Sequence, residues 1–296
     1  MQQGPLVRVV GTHVTLSCRV SGYHGAQHQN FRWSFYRPGA PTIALCILST
    51  DDPHSTYAVF QQRVSSGGIF MERTGPDSAR LHITRLQPQD QGVYECHTPS
   101  TDPIYRGKYS NTVNLTVIPN TLQVSLSSQL EPKGARQGKM AHLACQVLTM
   151  TVHHTHVSVS WHLERQDGDM LEIASLSRDF LLQPQPAFQD RLLVVKSSLS
   201  VYRLTLLPLR LSDLGEVYCR ATEWIQDPNQ TWYPLSVQQS NRVTLRMTAV
   251  SAQAPDTGSD LKVTPACSHT RPLTESCSQS SLLLLASLPM LRLQVC

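Results

Sequence analysis

A chain of 296 residues is long enough for about two domains of ordinary size. Hydrophobic residues make up 40% and charged residues 16%, which excludes a coiled coil and a chain disordered throughout. The net charge of +4 is spread thinly: residues 1–118 carry ten Lys/Arg against seven Asp/Glu, and residues 119–248 carry twelve against eleven. No basic stripe forms, so nucleic acid is not an expected partner.

The opening "MQQGPLVRVVG" lacks a basic region followed by an apolar run, so no secretory signal is read in the given residues. "HVTLSCRV" then alternates Val14, Leu16 and Cys18 inward, as a half-buried strand does. Cys18 is followed 15 residues later by Trp33 and 78 residues later by Cys96. Cys145 is followed 16 residues later by Trp161 and 74 residues later by Cys219. Two copies of Cys…Trp…Cys at matched spacing predict two immunoglobulin sandwiches with bridges Cys18–Cys96 and Cys145–Cys219. In each, the tryptophan packs on the bridge, and closing such a loop contributes about 4.5 kcal/mol in the chain-entropy model. The alternative is two unrelated cysteine pairs.

"DQGVYEC" places Tyr94 two residues before Cys96, where a tyrosine corner bonds to upstream backbone. "DLGEVYC" repeats Asp213 and Gly215 but sets Val217 at the corner, so Tyr218 points to the other face and the second corner is not expected. The cysteine spacings leave room for C′ and C″ strands in both copies. Nothing reads as a long amphipathic helix. "NTVNLTV" and "HVSVSWHL" supply further alternating strands, and "VIPNT" is too short a linker for free bending. The expected fold is all-β: tandem variable-type sandwiches at 1–118 and 119–248, followed by a disordered Ser/Thr/Pro-rich tail at 249–296. The apolar end "SLLLLASLPMLRLQVC" is interrupted by Pro289 and Arg292 and is too short to span a bilayer. Ser276-Cys277-Ser278 is a poor glycolipid-anchor site, because its spacer is short and Arg292 lies in the tail.

The second F–G segment, "CRATEWIQDPNQTWYP", contains Glu223-Trp224-Ile225. With "ECHTPSTD", "STYAVF" and "HTHVSVSW", this triplet resembles the EWI subfamily of immunoglobulin-superfamily surface proteins, named for it. "YRPGAPTIALCILST" leans toward the member 8 branch, with member 3 and the prostaglandin F2 receptor regulator nearby. The resemblance implies a single-pass cell-surface glycoprotein, on the extracellular side, without enzymatic activity or cofactor. It implies roles in adhesion and membrane organisation, with protein partners that include tetraspanins laterally. Membrane attachment would then come from segments outside this chain. A secreted soluble form and a structural spacer are the competing readings.

Several features stay open between a structural and a contact role. Trp224 either stiffens the F–G hairpin or anchors a partner, as does Trp232. Tyr105, Arg106, Lys108 and Tyr109 form an amphipathic set suited to a recognition loop, or an ordinary solvated turn. Asn114-Leu115-Thr116 and Asn229-Gln230-Thr231 are N-glycosylation sequons, with Asn114 directed outward because Leu115 faces the core. "HHTH", His153 to His156, lacks a cysteine or carboxylate at ligand spacing, so a polar turn is expected and no metal. Cys46 reads as a buried free thiol, with interchain pairing the minority reading, and Cys267, Cys277 and Cys296 have no obligatory partners. No nucleophile elbow, zinc-protease helix or phosphate loop is present.

Overall fold

The structure, a computed structural model, describes residues 4–52, 54–104, 107–129 and 140–246. The expectations for the tail, including Cys267, Cys277 and Cys296, therefore lie outside the described residues. Among those described, no helix is long and apolar enough to cross a membrane.

The first sandwich contains β1 (Leu6–Val9), β2 (Val14–Arg19), β3 (Arg32–Arg37), β4 (Ala40–Ser49), α1 (Ala58–Ser65), β5 (Ile69–Gly75), β6 (Ser78–Ile83), β7 (Gly92–His97) and β8 (Ser110–Ile118). Its front sheet runs β1-β8-β7-β3-β4, with β1 parallel to β8, and its back sheet runs β2-β6-β5. The period-two pattern drives this: Val14, Leu16 and Cys18 are buried while Ser17 and Arg19 are exposed. Between the sheets Trp33 and Tyr94 are fully enclosed, and Cys18 is bonded to Cys96. The Tyr94 hydroxyl donates to the Asp90 carbonyl at 2.8 Å, closing the tyrosine corner.

One expectation is corrected here. After β4 the chain forms α1 rather than a C″ strand, because Phe60 turns into the core against Phe35, with ring centroids 5.9 Å apart. Arg63, in the last turn of α1, donates to Asp90 at 2.5 Å.

The second sandwich contains β9 (Gln123–Gln129), β10 (Ala141–Leu148), β11 (Thr155–Arg165), β12 (Met170–Leu176), β13 (Leu182–Pro184), β14 (Leu192–Lys196), β15 (Val201–Leu206), β16 (Gly215–Gln226), β17 (Trp232–Gln239) and β18 (Val243–Leu245). Here C″ is present as β13, on the front sheet β13-β12-β11-β16-β17, with β18 also paired to β16. The back sheet runs β14-β15-β10-β9. Trp161 and the Cys145–Cys219 bridge fill the centre, as in the first copy. Val217 lies in the core, whereas Tyr218 stacks on His162 on the outer face at 5.0 Å.

The recurring Asp and Gly of the two copies have physical jobs. Asp213 accepts both terminal nitrogens of buried Arg191, at 2.6 and 2.7 Å, and the Arg210 backbone N–H at 2.8 Å. Asp90 likewise accepts from Arg63 and from the Gln87 backbone N–H. A Cβ on Gly215 would sit 2.2 Å from the Glu164 carbonyl oxygen, and one on Gly92 would sit 2.5 Å from that of Tyr36. Only glycine lets β16 and β7 approach their neighbours so closely.

Candidate functional site at the domain junction

Strand β16 explains where the triplet goes. Its odd positions Val217, Cys219 and Ala221 face the core, and its even positions Arg220, Thr222 and Trp224 lie on the outer face of the front sheet. Beyond Ala221 the strand outruns the sandwich. Glu223, Ile225 and Asp227 are buried nonetheless.

Glu223 is 1% exposed and is satisfied by hydroxyls. Thr149 and Thr155 donate to Oε1 at 2.7 and 2.9 Å, and Ser236 donates to Oε2 at 3.3 Å. The acid thus ties the turn between β10 and β11 to β11 and β17. A register shift opposite Glu223 and Trp224 accommodates the crowding on β17. Ile225 packs with Leu235 against Val7 and Val9 of β1, and Ile118 and Tyr233 flank this third apolar cluster. It is an interdomain core.

Arg8 completes the closure. Its terminal nitrogens reach the Asp227 carboxylate at 2.9 and 2.7 Å, with side chains only 4% and 6% exposed. The guanidinium also lies 3.7 Å from the centre of the Tyr233 ring. A bidentate, stacked pair of this kind is both strong and directional. The linker is fixed at either side: the Val10 N–H donates to Ile118, and Thr121 accepts the Met150 N–H at 3.1 Å.

Trp224 points the other way. Its indole N–H donates to Ser158 at 2.8 Å, and Arg178 lies 5.5 Å from its ring and 5.0 Å from that of Trp232. His156 rests on Trp232 at 4.7 Å and edges His154 at 5.2 Å. These histidines belong to an aromatic cluster, and no group of three or more metal-type ligands is assembled among the described residues.

In the first domain, Tyr105 and Arg106 lie outside the described residues. Lys108 is exposed, but Tyr109 is only 7% exposed and its hydroxyl donates to Asp102 at 2.9 Å. Tyr109 therefore braces the loop from beneath rather than presenting its ring, which corrects its place in the expected contact set. The Asp102 carboxyl also accepts the His24 N–H, and these bonds, led by the latter, hold its pKa below the ordinary value. Cys46 is half-buried between core residues Leu45 and Ile47, with its sulfur 3.4 Å from the Ser55 hydroxyl, so it is not the core thiol expected. Asn114 is exposed and lines a concavity of about 450 Å³ on the front sheet with Tyr36, Arg37, Pro38 and Glu95. Asn229 is exposed on the F–G turn, its side-chain oxygen accepting from the Thr231 hydroxyl at 2.7 Å.

Sequence reasoning missed Arg8, Asp227 and Arg178. All three act through residues distant in the chain, and a local period gives no sign of that.

The immunoglobulin V-set domain family matches residues 2–118. Immunoglobulin superfamily member 3 of Xenopus tropicalis is 46% identical over 245 residues, covering 81% of this chain and 21% of that protein. Member 2 of Mus musculus is 42% identical over 279 residues, covering 89% of this chain and 27% of its own length. Member 8 of Homo sapiens is 36% identical over 272 residues, covering 85% and 44%. Identity is thus higher to members 2 and 3 than to member 8, against the leaning of the Tyr36–Thr50 stretch. The chain spans less than half the length of each of these relatives. With its tandem sandwiches and the triplet Glu223-Trp224-Ile225 in place on β16, the chain belongs to the EWI subfamily of the immunoglobulin superfamily.

Proposed function

We propose that this chain is a recognition ectodomain acting in adhesion or membrane organisation on the extracellular side of the cell membrane. Its domains take the limits 1–118 and 119–248, and its partners are other surface proteins, tetraspanins among them laterally. One observation carries the reading: the junction is closed while the front sheets stay open. Val7, Val9, Ile225 and Leu235 bury the apolar surface between the domains, and the Arg8–Asp227 pair seals it. The concavities beside Tyr36 and beside Trp224 remain uncovered. Burial of the junction with exposure of both sheet faces suits a rigid two-domain binder, which loses little entropy on engaging a partner.

The same rigidity also serves a spacer that holds other modules away from the membrane. Binding separates the two. Residues 1–248, displayed as a dimeric fusion, are predicted to stain cells saturably, and crosslinking is predicted to recover surface proteins including tetraspanins. Absence of saturable staining with a folded fusion leaves the spacer.

A further inference from the structure

The outer face of the second front sheet carries a feature that the junction does not use. A cavity of about 260 Å³ opens there between β11, β12 and β16. Two arginines line it, Arg178 and Arg220, against a single acid, Glu172. Arg220 is exposed and makes no ion pair within 4 Å among the described residues. Arg178 is held between the Trp224 and Trp232 rings, and its one acidic neighbour within that distance is Asp179, at 3.7 Å. Its Nε is enclosed and has no hydrogen-bond partner. That Nε is the atom nearest the Asp179 carboxylate, beyond hydrogen-bond reach, so the two ring contacts are what hold the guanidinium in place.

The rest of the lining is hydroxyl-rich. Ser158, Ser160, Ser175 and Thr222 contribute short donors and acceptors, and the Trp224 indole adds an apolar wall whose N–H is already committed to Ser158. The hydrogen-bonded indole is therefore fixed in orientation before any ligand arrives. The cavity is smaller than the roughly 300–1,000 Å³ typical of drug-sized pockets, so it suits one ring rather than a peptide side-chain cluster. Forked cations for a carboxylate, hydroxyls for a polyol and an indole wall for the C–H face of a side arm together describe one ligand chemistry.

We propose that this face binds a carboxylate-bearing sugar at the end of a glycan chain, a terminal sialic acid. Arg220, free and exposed, takes the carboxylate bidentately. Arg178 adds charge from between the indoles. The serine and threonine hydroxyls meet the ring hydroxyls, and Trp224 packs against the glycerol-like side arm. This deepens the recognition reading and rests on it.

The test uses a dimeric fusion of the full chain against immobilised sialyllactose conjugates, with lactose conjugates as the neutral control. The expected result is binding to the sialylated probe alone, lost about tenfold or more in Arg220→Ala, with partial loss in Arg220→Lys, which keeps charge but not the fork. Arg220 is exposed, so its variants retain the wild-type thermal midpoint, which is measured in parallel. Equal binding to sialylated and neutral probes, or none to either, overturns the proposal. Cell staining that survives sialidase also overturns it while leaving the recognition reading intact, and if Arg220→Ala abolishes that staining the face is assigned to an acidic protein partner. Loss of cell staining altogether with a folded fusion ends both readings.

Discussion

Arg8 and Asp227, separated by 219 positions in the chain, form a buried bidentate ion pair across the boundary of the two sandwiches. Each residue alone would be an uncompensated charge at the edge of an apolar cluster. Together with the Tyr233 ring against Arg8, they tie β1 to the end of the β16–β17 hairpin.

Removing one partner leaves the other charge buried. Asp227→Ala is expected to cost about 3–5 kcal/mol at the junction. An isosteric apolar pair, Arg8→Met with Asp227→Leu, is expected to come near neutral in stability. Urea unfolding of the three proteins checks this, and equal stability of wild type and Asp227→Ala contradicts it.

Glu223 is surrounded by three hydroxyl donors. Glu223→Ala strands those groups and is expected to lower stability by about 1–3 kcal/mol, read as a fall in the denaturation midpoint. Trp224→Phe keeps the apolar ring but frees the Ser158 hydroxyl at a half-buried site, and about 1 kcal/mol or less is expected.

Gly215→Ala forces a Cβ to within 2.2 Å of a backbone oxygen that belongs to the neighbouring strand and has little room to shift. A loss of about 1–3 kcal/mol or more is expected. Gly39→Ala is the control: nothing lies within 4 Å of its Cβ, so a change of about 0.5 kcal/mol at most is expected. Thermal unfolding of both variants decides it.

Burial, ahead of the opposing pull of Glu172 and the further push of Arg220, holds the His162 pKa below its ordinary 6.5. In the unfolded chain that histidine takes up a proton as pH falls through about 6.5, while the folded state resists protonation to lower pH. The unfolded state then binds more protons, so stability falls as pH drops through this window. His162→Phe keeps the stack on Tyr218 and is expected to lose less stability than wild type between about pH 7.5 and 5.5. Parallel pH–stability curves for the two proteins contradict the assignment.

Asn114 and Asn229 are both exposed. Expression through a secretory pathway is expected to attach a glycan at each, so Asn114→Gln and Asn229→Gln each reduce the mass released by peptide N-glycosidase. An unchanged mass in either variant removes that site.

Much of the fold was legible because it is written in local spacing. The Cys…Trp…Cys frames, the alternation along β2, β8 and β11, and Tyr94 at its corner follow from a period of two and one bridge per sandwich. The helix α1 was not legible. Its eight residues, AVFQQRVS, bury a single ring, Phe60, and that is too weak a stripe to stand out from a strand pattern. Tyr109 misled because an amphipathic loop looks alike whether its ring is out or, as here, turned under toward Asp102. The junction was hidden for a different reason. All four residues of β1 are buried: Leu6 in the first core, Val7 and Val9 against Ile225 and Leu235, and Arg8 against Asp227 of the second domain. The triplet could be located on the F–G segment, but its meaning depended on Val7, Arg8 and Val9, which no local pattern connects to it.

The segment from Glu223 to Asp227 is expected to hold the two domains as one rigid body. Residual dipolar couplings of the backbone amides in both domains test it directly. A single alignment tensor is predicted to fit both domains of the wild type, and two different tensors are predicted to be needed for Asp227→Ala. Two tensors in the wild type itself would contradict the claim.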